Sequence, residues 1–349
     1  MKAYVLEDIN RLIYKDINVP TLDKGEVLVH VKAVGICGSD IPRIYKTGAH
    51  VHPIIPGHEF SGEVVECGSD AIQWKGKRVG IFPLIPCMQC DCCKKKLYEM
   101  CRNYSYLGSR CNGGFAEYSA VPSWNLIELP KNVSFGAAAL LEPLSVSAHA
   151  VRRVTANADK NECFAVWGLG TIGLMVVSLL KTAGFNNIIC IGKKTNQRRF
   201  VEDLGIASSM YIDATNESVN NRVCELTDGK GPHAVFECVG RNETIAGCVS
   251  VASPGGMVML VGNPNSDICF EKEVYWKILR NELTVLGTWN SAYTHSENDD
   301  WHYALQLLKD GSLEWKRFIS HKINFDELKR GLEIMRDKKG DYIKIMIEE

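Results

Sequence analysis

The sequence carries almost no net charge: 40 Lys and Arg stand against 41 Asp and Glu over 349 residues, leaving −1 at neutral pH. Nucleic acid or an anionic membrane surface selects for a strongly basic face, so neither is an expected partner. Met1–Arg11 has no apolar stretch of the secretory-signal kind, which points to a reducing, cytoplasmic setting. Long unbroken apolar runs are also missing. The longest uncharged stretch, 244–266, contains two prolines and a Gly-Gly pair, and 164–180 is broken by three glycines, so neither reads as a membrane span. Internal repeats, low-complexity segments and long linkers are absent too. With 46% hydrophobic and 23% charged residues, a mainly disordered chain is excluded, and at about 150 residues per domain the length implies roughly two domains.

Cysteine, by contrast, is plentiful, at fourteen residues. In a reducing compartment that number calls for metal rather than disulfides. Cys87, Cys90, Cys93 and Cys101 follow C-x2-C-x2-C-x7-C, a spacing in which one short loop can surround a tetrahedral ion with four thiolates. Such a closed site is structural, and zinc is its expected metal. Cys92, next to Cys93, is read as a spare thiol, although by position it could take the place of Cys93. A more dispersed group comprises Cys37 in GICGSD (35–40), His58 and Glu59 in GHEF (57–60), and Glu142 in LEP (141–143). A thiolate, an imidazole and a carboxylate from Glu59 or Glu142 would hold a second zinc with one position left open, the catalytic arrangement. Asp40 is placed to accept a hydrogen bond from His58 and fix its tautomer. Taken singly, His58 and Cys37 would more often be packed core residues.

The first 120 residues alternate in short segments such as Glu26–Lys32 and Ser61–Glu66, the pattern of a β-rich, barrel-like domain. From Asn161 the texture becomes apolar runs each followed by helical spacing: 164–167, 188–191, 234–236 and 257–261 read as strands. Strand and helix alternating in this way give βαβ units and a doubly wound α/β parallel sheet. Helices over 300–309 and 326–337 and strands over 319–323 and 342–347 follow without extending that sheet.

Gly168-Leu-Gly-Thr-Ile-Gly173 is a GxGxxG lying between an apolar strand and a helix. In that context Gly168 makes the tight turn, Gly170 lets the backbone approach a pyrophosphate, Thr171 and Ile172 open the helix, and Gly173 lets helix pack on strand. An NAD site places an acid about 20 residues further on to hold the ribose 2′-hydroxyl. Here Gly192 stands nineteen residues after Gly173, followed by Lys193, Lys194, Arg198 and Arg199. Cations without the acid suit a 2′-phosphate, so NADP is favoured over NAD; the competing interpretation is a solvated helix start with relaxed cofactor choice.

These segments, with GGFAEY (113–118) and EPLSVSAHA (142–150), resemble the zinc-dependent medium-chain dehydrogenase/reductase family through essentially the whole chain. Glu142 in EPLSVSAHA resembles the polyol dehydrogenase branch, of the sorbitol dehydrogenase kind. SDIPRIYKTGAH (39–50), YLGSRCNGGFAEY (106–118) and KILRNELTVLGTW (277–289) resemble a subgroup acting on polyol phosphates such as galactitol 1-phosphate. The resemblance implies a GroES-like catalytic domain over 1–147 and 288–349 and a Rossmann domain over 148–287. It implies two zinc ions per chain, with Cys37 and His58 as catalytic-zinc ligands and Glu59 and Glu142 as alternating carboxylates. Ser39 takes the place of a proton-relay hydroxyl, and Cys238, Val239, Val261, Gly262 and Thr288 line the nicotinamide. The implied reaction is reversible oxidation of a secondary alcohol to a ketone, with hydride passing to the cofactor. Arg43, His50 and Arg110 are candidates for the substrate phosphate, since guanidinium clamps phosphate bidentately. A homodimer or homotetramer is expected. The rival functions are a zinc-independent reductase of the same fold and a zinc-ribbon binding module drawing only on the cysteine lobe.

Overall fold

The computed structural model describes residues 1–264 and 266–348. The chain forms two compact units, one built from 1–145 and 292–349 and the other from 146–291. Among the described residues, no helix is long and apolar enough to cross a membrane.

The first unit is organised on Glu26–Ile36, an eleven-residue strand whose Val, Leu, Ala and Ile side chains are all buried. It pairs antiparallel with Glu59–Cys67, Tyr118–Pro122 and Lys344–Glu348, at the centre of a seven-stranded sheet. One apolar core of Val27, Val29, Val31, Val34, Phe60 and Phe115 joins the amino-terminal strands to Ile345 and Ile347 of the carboxy-terminal one. The tail therefore completes this sheet, which explains why it does not continue the βαβ pattern. Gly57, at φ +90°, is a position where only glycine fits, because a Cβ would enter the Phe115 ring. Phe115 N–H donates to Pro56 O and Gly114 N–H to Gly57 O, so the GHEF and GGFAEY segments form one interlocked turn that sets His58.

The second unit is a six-stranded, all-parallel sheet in the order 211–213, 188–192, 164–167, 234–237, 257–260, 284–287. Sequence order reverses direction between Phe164–Trp167 and Ala234–Glu237, the switch point at which open α/β sheets bind ligands. Every residue of Ile188–Gly192 and Ala234–Glu237 is buried, as expected of strands covered on both faces. Tyr211–Asp213 and Thr284–Gly287 were not foreseen from the sequence. The first is only three residues long, and the second is mostly exposed, so it carries no buried apolar run of the kind that marks the other strands.

Candidate functional site: two metal-ligand clusters and a dinucleotide loop

The lobe at 87–101 gathers the sulfurs of Cys87, Cys90, Cys93 and Cys101 within 4.8 Å of one another. Cys92, although adjacent, is not in the cluster. The Sγ–Sγ separations are 3.6 Å for Cys90–Cys93, 3.9 Å for Cys90–Cys101 and 4.0 Å for Cys87–Cys93. A tetrahedron with metal–sulfur bonds of about 2.3 Å has edges of about 3.8 Å, so the four sulfurs already lie at the corners a zinc ion requires. Backbone N–H groups of Arg102 and Cys93 pointing at Cys90 lower its thiol to about 6, favouring the thiolate that binds metal.

The second cluster lies where three strands meet. Cys37 follows the end of Glu26–Ile36, and Glu59 opens Glu59–Cys67 and pairs with Gly35. The sulfur of Cys37, a ring nitrogen of His58 and a carboxylate oxygen of Glu59 fall within 4.8 Å of one another. His58 is buried, and its Nδ1 makes no hydrogen bond but lies 3.5 Å from Asp40 Oδ1. Burial opposes charge on this ring, yet Asp40 and Cys37 outweigh it and hold the imidazole well above its ordinary pKa. Asp40 is itself fully buried, accepts the Cys37 N–H at 3.0 Å and pairs with Arg43 at 2.7 Å. A thiol, a buried imidazole nitrogen and a carboxylate oxygen within 4.8 Å of one another form a donor set suited to a divalent metal such as zinc.

The two carboxylates are held differently. Both oxygens of Glu59 accept from Lys344 Nζ, at 2.6 and 2.7 Å. Lys344 is 2% exposed, and its ammonium also reaches Ile36 O at 3.1 Å. A Cβ on Gly35 would sit 2.3 Å from Glu59 Oε2, so glycine there makes room for the pair. Glu142 sits in the first turn of the helix Leu141–Thr155 and accepts from the Tyr106 hydroxyl at 3.2 Å through Oε1. Burial pushes its carboxyl up to about 7; His58 opposes the rise and Glu59 adds to it. Glu142 is not among the group drawn within 4.8 Å. Ser39 is exposed and its hydroxyl donates to Cys37 Sγ at 3.3 Å.

Of the three phosphate candidates, Arg43 is already committed in part to Asp40. Burial lowers the pKa of His50, and Arg110 and then Arg43 lower it further, so both guanidiniums lie within electrostatic reach of that imidazole. His50 N–H donates to Ser109 O at 3.1 Å, beside Arg110, whose guanidinium lies over Tyr104.

In the second unit the glycine loop is shaped by close approach. Gly168, at φ +99°, crosses Val239 so closely that a Cβ would meet Val239 Cγ2 at 2.4 Å, while beyond Gly170 there is open space. A Cβ on Gly173 would sit 1.9 Å from Gly168 O. Thr171–Thr182 starts at Gly170 without a side-chain cap, and a helix N-terminus favours an anion. Gly192 is packed under Tyr211 and Gln197: a Cβ would meet the Tyr211 hydroxyl at 2.7 Å and Gln197 Oε1 at 2.8 Å. Gln197 Oε1 accepts the N–H groups of Lys193 and Lys194, and Arg198 lies over the Tyr211 ring. Cys238, Val239, Val261 and Gly262 sit at the ends of neighbouring strands. Thr288 N–H bonds to Leu260 O, but its buried hydroxyl has no partner, an orphan that a nicotinamide carboxamide would satisfy.

Sequence reasoning missed Lys344 and Tyr106. For Lys344 a signal existed, because a lysine flanked by Ile343, Ile345 and Ile347 in a predicted strand is a buried cation in need of a carboxylate. Tyr106 stood in a segment noted only for its resemblance.

Residues 23–131 match the alcohol dehydrogenase GroES-like domain and residues 171–310 the zinc-binding dehydrogenase family. The chain belongs to the zinc-dependent medium-chain dehydrogenases, in their polyol branch. It is 32% identical over 302 residues to galactitol 1-phosphate 5-dehydrogenase of Escherichia coli K12, covering 86% of each chain. It is 26% identical over 355 residues to sorbitol dehydrogenase of Bacillus subtilis, covering 99% of this chain and 97% of that one. The crystal structure of galactitol-1-phosphate dehydrogenase from E. coli superposes with TM-score 0.92 at 29% identity over the whole of both chains. A zinc-binding dehydrogenase from Sinorhizobium meliloti bound to NADP gives 0.90 at 28%, covering 100% of this chain and 99% of that one.

Proposed function

We propose that the protein oxidises a secondary alcohol of a polyol phosphate, such as galactitol 1-phosphate, reversibly to a ketone with NADP. The observation that carries this reading is the cluster of Cys37, His58 and Glu59, with the cationic group of Arg43, His50 and Arg110 in the same unit. Cys37 and His58 would hold a catalytic zinc together with Glu59 or Glu142, and the four lobe cysteines a structural one. Zinc, when bound, supplies Lewis acidity that makes an alcohol proton easier to remove, and the nicotinamide takes the hydride.

The chain's own residues orient the site and move the proton. Asp40 acts on His58 through its charge, 3.5 Å from Nδ1 and without the hydrogen bond the sequence suggested, and Lys344 holds Glu59. Glu142, whose carboxyl titrates near neutrality, takes or returns a proton at the oxygen left free by Tyr106. Ser39, exposed beside Cys37, passes protons to solvent. Arg110 and His50 bind the phosphate, with Arg43 adding charge while it keeps its bond to Asp40.

A panel of polyols and polyol phosphates assayed with both cofactors tests this reading; turnover of neither class would contradict it. Arg110→Ala is expected to lower kcat/KM for the phosphorylated polyol about 10-fold or more, the scale of one charged phosphate contact, while changing that for the free polyol less than about twofold. Equal loss on both substrates would remove Arg110 from the phosphate site.

NADP is favoured because the space an acid would occupy at position 192 is taken by Tyr211 and Gln197. Gly192→Asp alone is therefore expected to weaken use of NADP without creating use of NAD. A full switch to NAD in Gly192→Asp alone would contradict this packing.

For the assembly, we propose a homodimer through the strand Thr284–Gly287. Among the described residues it pairs only with Met257–Leu260, at the edge of the sheet, and Val285 on it is 42% exposed, while Tyr275 and Leu279 of the preceding helix Lys272–Arg280 are 54% and 56% exposed. An unprotected apolar edge is a template for pairing, and antiparallel pairing of two copies about a two-fold axis closes it. Light scattering is expected to give twice the 38.8 kDa chain mass, falling to one chain in Val285→Lys. A monomeric parent, or an unaffected variant, would overturn this interface.

A further inference from the structure

Glu237 is an acid with no apparent reason to be charged where it is. It ends the strand Ala234–Glu237 at the switch point of the parallel sheet and is 0% exposed. Among the described residues, no Lys, Arg or His pairs with it. Its charge is met instead by a ring of donors. Oε1 accepts the N–H of Val239 at 2.9 Å, the N–H of Gly240 at 3.0 Å and the hydroxyl of Thr244 at 2.7 Å, and Oε2 shares the Gly240 N–H at 3.1 Å. The main-chain oxygen of the same residue accepts the N–H groups of Val261 and Gly262, both at 2.9 Å. One buried residue thus fixes the two loops that leave the adjacent strands of the sheet.

These loops are packed too tightly to be held by chance. A Cβ on Gly262 would lie 2.2 Å from Gly240 N and 2.7 Å from Glu237 Oε2, and one on Gly168 would strike Val239. The 238–240 loop is therefore wedged between the glycine loop and 261–262, with Glu237 as its polar anchor from below. A carboxylate suits this place better than an amide, because every group facing it is a donor. An amide would turn an NH2 toward at least one of them, and a buried donor facing a donor is costly. The Val239 side chain, 37% exposed, is the outer surface of the wedge.

We infer that Glu237 is a positioning residue for the nicotinamide half of the dinucleotide. It touches neither cofactor nor substrate, but sets the height and tilt of the Val239–Gly240 backbone against which that half lies. The inference rests on the reading of this unit as a dinucleotide site and adds a residue, and a division of labour, to it. The adenine half is handled by the 168–173 loop and the Gly192–Arg198 turn, neither of which bonds to the Glu237 side chain.

The test compares two probes on one protein: the reduced dinucleotide that the parent chain binds, NADPH or NADH, and the matching ADP-ribose fragment, which lacks nicotinamide. In Glu237→Gln, which keeps the shape of the side chain, the Kd for the whole dinucleotide is expected to rise about 10-fold, while the Kd for the fragment changes less than about twofold. Glu237→Ala should widen that ratio. An equal rise for both probes would mean that Glu237 merely stabilises the unit, and an unchanged Kd for both would mean that it positions nothing; either result overturns the inference. Failure of the parent chain to bind any dinucleotide would overturn the cofactor reading itself, a result distinct from a parent that binds and a variant that does not care.

Discussion

Cys37→Ser is expected to lower kcat/KM for the polyol phosphate by about 1,000-fold or more, equivalent to ~4 kcal/mol of transition-state stabilisation. Serine is nearly isosteric, but its hydroxyl does not ionise in the range where a thiol does and is a poor zinc ligand. The remaining donors, His58 and Glu59, would then have to hold the ion while Glu59 is already engaged at both oxygens by Lys344. Zinc content should fall by one ion per chain relative to the parent. The thermal midpoint should change little, because Cys37 is only partly buried and lies outside the apolar core of its unit. Circular dichroism and metal analysis on the same sample separate loss of the ion from loss of the fold. An active variant within tenfold of the parent would remove Cys37 from the metal site.

Cys93→Ser should produce the complementary phenotype. Cys93 is buried and its sulfur lies 3.6 Å from Cys90 and 4.0 Å from Cys87, so replacing it opens the tetrahedron. Burial pushes the Cys93 thiol up to about 12, so a bound cation would be what keeps it ionised. Without the ion, the 87–101 segment has only short helical turns to order it. The expected result is loss of one zinc per chain and a drop in Tm of about 5–10 °C, the scale for a few kcal/mol lost from a domain of this size. Activity should survive at temperatures where the variant remains folded. Cys92→Ser, one residue away, should keep both ions and the parental Tm. If Cys92→Ser loses zinc and Cys93→Ser does not, the lobe has been assigned to the wrong thiol.

Much of this was legible in the chain itself because metal and phosphate chemistry constrain residue types at fixed spacing. The cysteine lobe could be read from four positions within fifteen residues, and the glycine loop from its place between an apolar strand and a helix. What spacing cannot show is which long-range partner each acid takes. Glu59 meets a lysine 285 positions away through sheet pairing, and Glu142 meets Tyr106 across a loop. A sequence shows two equivalent acids there; the fold gives one a full cation and the other a neutral hydroxyl. Glu237 was invisible for a related reason: most of its partners are backbone N–H groups, which carry no residue identity, and the one side chain, Thr244, is an ordinary helix-start hydroxyl. At Gly192 the sequence shows that the acid is missing, and the fold adds that the Tyr211 hydroxyl and Gln197 Oε1 lie where a side chain would begin.

The most direct test of the proposed reaction is the fate of the hydride. With galactitol 1-phosphate deuterated at C5 and oxidised NADP, the reading predicts deuterium at C4 of the reduced nicotinamide and a ketone product that has lost the label. Deuterium retained in the sugar phosphate, or released to solvent while the cofactor stays unlabelled, would contradict it.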